Sequence, residues 1–152
     1  MKRSLTVIAL IVATLAGGGV WYVQSKLPER QGQAALDGLQ GVVTVRYDER
    51  GVPHIRAGNQ ADMYRALGYV QAQDRLFQME IMRRLARGEL AEVLGPKLVD
   101  TDKLFRSLRI RERAASYLNE LDQQSAAFVA LQAYLDGINQ YQATRARPVE
   151  FD

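Results

Sequence analysis

The chain has no cysteine and a single histidine among its 152 residues. Without cysteine there are no disulfides and no thiolate metal sites, and the composition fits an oxidising compartment without requiring one. The one histidine, His54, allows a Ser-His-Asp arrangement only with Ser107, Ser116 or Ser125. None of those serines sits on a strained strand-to-helix turn, so His54 reads as a packed or hydrogen-bonding strand residue. There is no glycine-rich phosphate loop and no cluster with metal-ligand spacing. Asp100-Thr101-Asp102 begins like a calcium loop, but Leu104 fills the third liganding position, which leaves helix capping as its role. Excess charge is also scarce, with a formal net charge of +3. The arginines at 83, 84, 87, 106, 109, 111 and 113 are interleaved with Glu80, Glu89, Glu92 and Glu112. They read as solvated helix faces with i,i+4 pairs, and no nucleic-acid partner is expected.

One long apolar run is present, and it stands at the N-terminus. Lys2-Arg3 precede an uncharged stretch from Ser4 to Ser25 whose centre is Leu5–Val23. As a helix, 19 residues rise about 28 Å, close to a hydrocarbon thickness. Trp21-Tyr22 stand where an interfacial aromatic belt falls. Residues 1–25 therefore read as a signal anchor, with a membrane partner over residues 5–23. The competing reading is a cleaved signal peptide, for which Thr14-Leu15-Ala16 offers small residues at the two key positions. Either reading expects the working part outside the cytoplasm: an inner-membrane anchor with a periplasmic body, or a periplasmic protein.

Residues 26–41 read as a polar, glycine-containing linker. Val43, Val45 and Tyr47 then alternate with Thr44 and Arg46, Asp48-Glu49-Arg50-Gly51 makes a turn, and residues 52–57 form a return strand that Pro53 confines to an edge or a strand start. A lone two-stranded hairpin is marginal in water, so these strands are expected to join a larger sheet. Asn59 is a candidate N-cap for a helix ending near Arg87-Gly88, and Gly68 inside it points to a close neighbour. A helix capped by the Asp100–Asp102 cluster is expected to about Asn119. A last helix, capped by Asp122, carries Phe128, Leu131, Leu135 and Ile138 on one stripe, with Gly137 limiting it.

The long helix organises the chain. At 100° per residue it has two apolar faces: Met63, Leu67, Val70, Phe77, Ile81 and Leu85 on one, and Tyr64, Gly68, Ala72, Met79, Met82 and Ala86 on the other. Asp74 falls in the middle of the first and Arg75 in the middle of the second. Asp62, Arg65, Gln73, Glu80, Arg83 and Arg87 occupy the remaining arc. A charge inside an apolar stripe must be paired or hydrogen-bonded. Asp74 and Arg75, with the i,i+4 pair Glu80 and Arg84, are accordingly read as a structural polar network, against the alternative of a catalytic carboxylate at Asp74. A helix apolar on two sides needs chain packed on both. No self-sufficient active site appears.

V-R-Y-D-E-R-G-V-P-H-I (45–55) and G-Y-V-Q-A-Q-D-R-L-F-Q-M-E-I-M-R-R-L-A-R-G-E-L-A-E-V-L-G (68–95) resemble the start of the penicillin acylase family. Y-L-D-G-I-N-Q-Y (134–141) and P-V-E-F (148–151) look like its continuation, so the resemblance covers residues 42–151. It implies an N-terminal-nucleophile hydrolase made as one precursor that cuts itself into α and β subunits, with a four-layer αββα sandwich fold. This chain would be an α-subunit fragment, mainly α with an N-terminal β-hairpin. In such enzymes the residue that begins the β subunit is the nucleophile and its freed α-amine the base. The resemblance thus implies no catalytic, cofactor-binding or metal-binding residue in this chain, and a β subunit as partner. Calcium, bound structurally by some members, would be held by segments beyond P-V-E-F.

Two functions follow as expectations. In the first, residues 42–152 are part of a linear-amide hydrolase acting on N-acylated small molecules such as penicillins or acyl-homoserine lactones, inactive without the β subunit. In the second, the chain is a membrane-tethered, non-catalytic helical interaction protein derived from the family. A fragment of a longer precursor, a split gene and a functional short protein all stay open, as do acyl and amine specificity.

Overall fold

In the computed structural model, backbone is described for residues 2–27, 30–145 and 149–151, and side chains for 12–27, 30–145 and 150–151. The fold is mainly α-helical with a small hairpin near the N-terminus. In chain order it runs α1 (Lys2–Lys26), β1 (Thr44–Tyr47), β2 (Pro53–Arg56), α2 (Gln60–Arg87), α3 (Ala91–Leu94), α4 (Val99–Ser107), α5 (Ile110–Glu120) and α6 (Ala126–Thr144). Short 3-10 turns lie at Pro96–Leu98 and Val149–Phe151. No helix among the described residues is long and apolar enough to cross a membrane. The membrane span expected over residues 5–23 is therefore not supported, and its first part falls on residues 5–11, whose side chains lie outside the described ones.

β1 and β2 pair antiparallel, Val45 opposite Ile55 and Arg46 opposite His54. The turn is closed by Asp48, whose carboxylate accepts from the backbone N–H groups of Arg50 at 2.9 Å and Val52 at 2.8 Å. Those bonds, the one from Val52 first, hold its carboxyl below the ordinary value. Gly51 takes the positive φ of 76° that the turn demands.

α2 begins and ends where its cap residues dictate. The Asn59 side chain accepts the Asp62 N–H at 2.8 Å. Gly88, left-handed at φ 65°, closes the other end: its N–H reaches the Leu85 carbonyl and the Glu89 N–H reaches that of Arg84. The helix is broken once, at Arg75 (φ −139°, ψ 18°).

The core is the crossing of α2 and α6, the most extensive contact between elements. Gly68 faces the Tyr134 backbone and Gly137 faces the Arg65 backbone, and a Cβ at either position would collide with a carbonyl oxygen. Tyr69, Ala72, Leu76, Ile138 and Tyr141 pack around this point, with the Tyr69 and Tyr141 rings edge to face at 5.3 Å. Burial raises the Tyr141 hydroxyl pKa above its ordinary value.

Five expectations about the second half change. Gly137 lies inside α6 and does not limit it, because the close approach of α2 needs a residue without a side chain there. The buried stripe of α6 is Ala130, Ala133, Gly137, Ile138 and Tyr141, while Leu135 is 42% exposed. Small residues occupy it because backbone, not long side chains, meets them. The cap of α6 is Ser125, which accepts the Phe128 N–H at 3.2 Å, whereas Asp122 closes the preceding turn onto Gln124. The helix expected through Asn119 is two helices, broken where Arg109 is left-handed at φ 51°. Asp102 does not cap its own helix; buried, it accepts from Leu90 N–H at 2.9 Å and Ala91 N–H at 2.8 Å, capping α3 from a distance.

Replacing Gly137 with alanine should force α2 and α6 apart and destabilise the fold by about 3 kcal/mol. Urea unfolding of Gly137→Ala measures this, and a change within about 0.5 kcal/mol of wild type would show that the helices do not approach so closely.

Candidate functional site

The stretch between α1 and β1 is not a loose linker once Leu36 is reached. Leu36 packs on the α2–α6 core, and residues 37–41 form a strap fastened across both helices by polar groups. The Asp62 side chain, fully buried, accepts the Gln40 N–H at 3.0 and 3.1 Å, the Gly41 N–H at 3.1 Å and the Asn59 amide at 2.7 Å. Arg65 stands 3.8 Å away. The Gln40 N–H leads these contacts in holding the Asp62 carboxyl below its ordinary value, against the opposing effect of burial. Arg65 also donates to the Gly38 carbonyl at 2.7 Å and to Asp136 of α6 at 2.8 Å. Gln140, one turn beyond Asp136, closes the lattice by donating to the Asp37 carbonyl at 3.0 Å and accepting its N–H at 2.7 Å. Every strap N–H named here meets a charged or amide oxygen, which gives an irregular backbone partners it cannot find in a regular element.

The residues singled out from the sequence are placed as follows. Asp74 pairs with Arg30 at 3.2 Å, the two side chains 16% and 47% exposed. Arg30 also lies over the Tyr47 ring at 5.3 Å. Arg75 is exposed at the break in α2. Glu80 accepts from Arg83 and Arg84, each at 2.7 Å, and Arg84 reaches on to Glu92 at 3.1 Å. The hydrogen bond from Arg83 leads in lowering the Glu80 carboxyl pKa. Asp74 and Glu80 thus belong to two separate clusters. Of the residues that build the strap site, Asp62 and Arg65 were read only as part of the arc left by the two apolar faces, and Asp136 and Gln140 were given no role. The N-x-x-D capping pattern at Asn59–Asp62 was the one local signal available, and nothing local announces Asp136.

Between strap, hairpin and α2 lies a cavity of about 640 Å³, walled by Leu36, Leu39, Val45, Ala66, Tyr69 and Val70, with Arg30 and Arg145 also on its lining. None of the three serines meets the histidine. The Ser107 and Ser125 hydroxyls donate to the backbone carbonyls of Leu104 and Asp122, Ser116 is exposed on α5, and His54 Nε2 lies 3.4 Å from Asp48. Among the described residues no group of three or more histidines or carboxylates could hold a metal ion. The arrangement holds chain in place; it does not assemble a nucleophile with a base.

Comparison with known proteins gives this geometry its context. The penicillin amidase family model matches residues 42–152, and the chain belongs to that family. It is 41% identical over 130 residues to the penicillin acylase 2 proenzyme of Pseudomonas sp. (strain SE83), covering 85% of this chain and 16% of that protein. An acyl-homoserine lactone acylase, QuiP, of Pseudomonas fluorescens is 35% identical over 130 residues, 86% of this chain and 16% of its own length. The thermostable penicillin G acylase of Alcaligenes faecalis superposes with a TM-score of 0.58 at 34% identity, over 67% of this chain and 53% of the solved chain. The chain thus spans about one sixth of the curated relatives it matches.

Because the Asp62 carboxyl is depressed in the folded state, its contribution is complete above the ordinary value of 3.8 and is lost as pH falls below it. Asp62→Asn should free the strap, make residues 30–41 the first site of limited proteolysis at neutral pH, and flatten the loss of stability on acidification. Equal cleavage rates and the same acid limb in both proteins would show the strap does not depend on this carboxylate.

Proposed function

We propose that this chain is the N-terminal, α-subunit portion of a penicillin-acylase-like amidohydrolase that cleaves the amide of N-acylated small molecules. The observation that carries this reading is the coverage of its relatives. The chain spans 16% of a protein named a proenzyme but matches 53% of the solved chain of another penicillin acylase. A solved chain so much shorter than a proenzyme fits a precursor divided into subunits. Its relatives bear the names of penicillin acylases and acyl-homoserine lactone acylases, and amide hydrolysis of an acyl group is common to both.

The chain's own part in the reaction is structural. The strap, the hairpin and α2 present an apolar-walled cavity and hold the α2–α6 pair rigid, while the nucleophile and its base are supplied by the downstream β part. Lys2-Arg3 before the apolar run support export, so that the assembled enzyme works outside the cytoplasm.

Purified alone, the chain should release no amine from a chromogenic phenylacetyl or fatty-acyl amide. Co-expressed with the polypeptide encoded immediately downstream, it should do so at rates typical of enzymes, on the order of 1 per second or faster. Activity of the lone chain, or no activity from a folded and processed assembly, would contradict the reading.

A further inference from the structure

The arginines of this chain divide into two groups. Arg83, Arg84 and Arg87 are engaged by Glu80, Glu89 and Glu92, and Arg106 donates to the Gly88 carbonyl at 2.8 Å. Arg109, Arg111 and Arg113, all exposed, have no carboxylate partner among the described residues. They cluster at the break between α4 and α5, where Arg109 itself is held left-handed, a conformation uncommon for a residue with a side chain. Leu104 of α4, Leu108 in the break and Tyr117 of α5 are 56%, 47% and 63% exposed.

α5 also has little support of its own. It is eleven residues long, and every one except the half-buried Ile110 is exposed. A helix of that length is marginal in water and depends on an apolar face packed against something. Among the described residues α5 meets α2 but buries no residue of its own, and Tyr117 and Leu118 stay exposed.

We infer that the α4–α5 corner is a docking surface, and that its occupant is an acidic, apolar-centred surface of the downstream part of the same precursor. This rests on the reading above that such a part exists. Relatives of this chain are about six times as long as the segment it matches, so a large downstream part is available to cover a face this chain leaves bare. Exposed leucines supply the apolar centre, and three arginines without partners select carboxylates at the rim. An anionic lipid surface has the same charge and is the competing occupant.

The test uses this chain and the downstream polypeptide co-expressed as two pieces, with association measured at low and high salt. Wild type should form a complex that salt weakens. Reversing the corner (Arg109→Glu, Arg111→Glu, Arg113→Glu) should weaken it by about tenfold or more, and Leu104→Ser with Leu108→Ser should do likewise. The same reversal at Arg50, exposed on the hairpin turn, should change little. Because α5 contributes nothing to the core, the variants should keep the wild-type circular dichroism. A wild-type complex that the corner variants leave intact overturns the inference and spares the proposed function. No wild-type complex at all overturns both. Binding to phosphatidylglycerol vesicles that the reversal abolishes, with the complex untouched, assigns the corner to lipid and also overturns it.

Discussion

Two glycines set the distance between the two longest helices of the body. Gly68 and Gly137 each lie against the backbone of the other's helix, so α2 and α6 cross closer than any side chain would permit. The rest of the described body is arranged around that crossing. Four of its buried residues, Ala66, Ala72, Ala130 and Ala133, are small because little space remains, and Tyr69 and Tyr141 pack edge to face between the helices. Such a crossing relies on dense packing rather than on a large apolar area. It leaves the core thin.

The strap compensates for that thinness with polar bonds. An irregular segment over a helix pair brings backbone N–H and C=O groups that must find partners. Asp62, Arg65, Asp136 and Gln140 provide them from two helices, so one lattice joins three parts of the chain far apart in sequence. Asp62 stands near the N-terminus of α2, where the helix dipole also favours a negative charge. A carboxylate can therefore be buried there, with its partners rather than solvent keeping it ionised.

How much of this was legible in the sequence follows from how local each cause is. The hairpin, α2 from its Asn59 cap to Gly88, and the close neighbour at Gly68 were readable because cap residues, turn residues and a helical glycine act within a few positions. The long 68–95 motif gave the family. Asp62 and Arg65 were placed on the arc outside the two apolar faces, because periodicity cannot show that a preceding segment folds back over that arc. The break at Leu108–Arg109 escaped for a similar reason: neither proline nor glycine marks it. Capping of α3 by Asp102 is a contact across a turn, invisible to any rule that pairs a cap with its own helix.

What the chain encloses and what it leaves bare divide along the same line. The strap side is tied down by polar bonds, while the α4–α5 side leaves arginines and leucines exposed among the described residues. The central claim is that stability is concentrated in the α2–α6–strap unit and that α5 is ordered only by association. Native-state hydrogen exchange tests it most directly. In the lone chain, the amides of Gln40, Gly41 and the α2–α6 crossing should be the slowest to exchange, and those of Arg113–Leu118 should exchange nearly as fast as in an unfolded chain, slowing only on assembly. Protection of α5 equal to that of the crossing, in the chain by itself, would contradict the account.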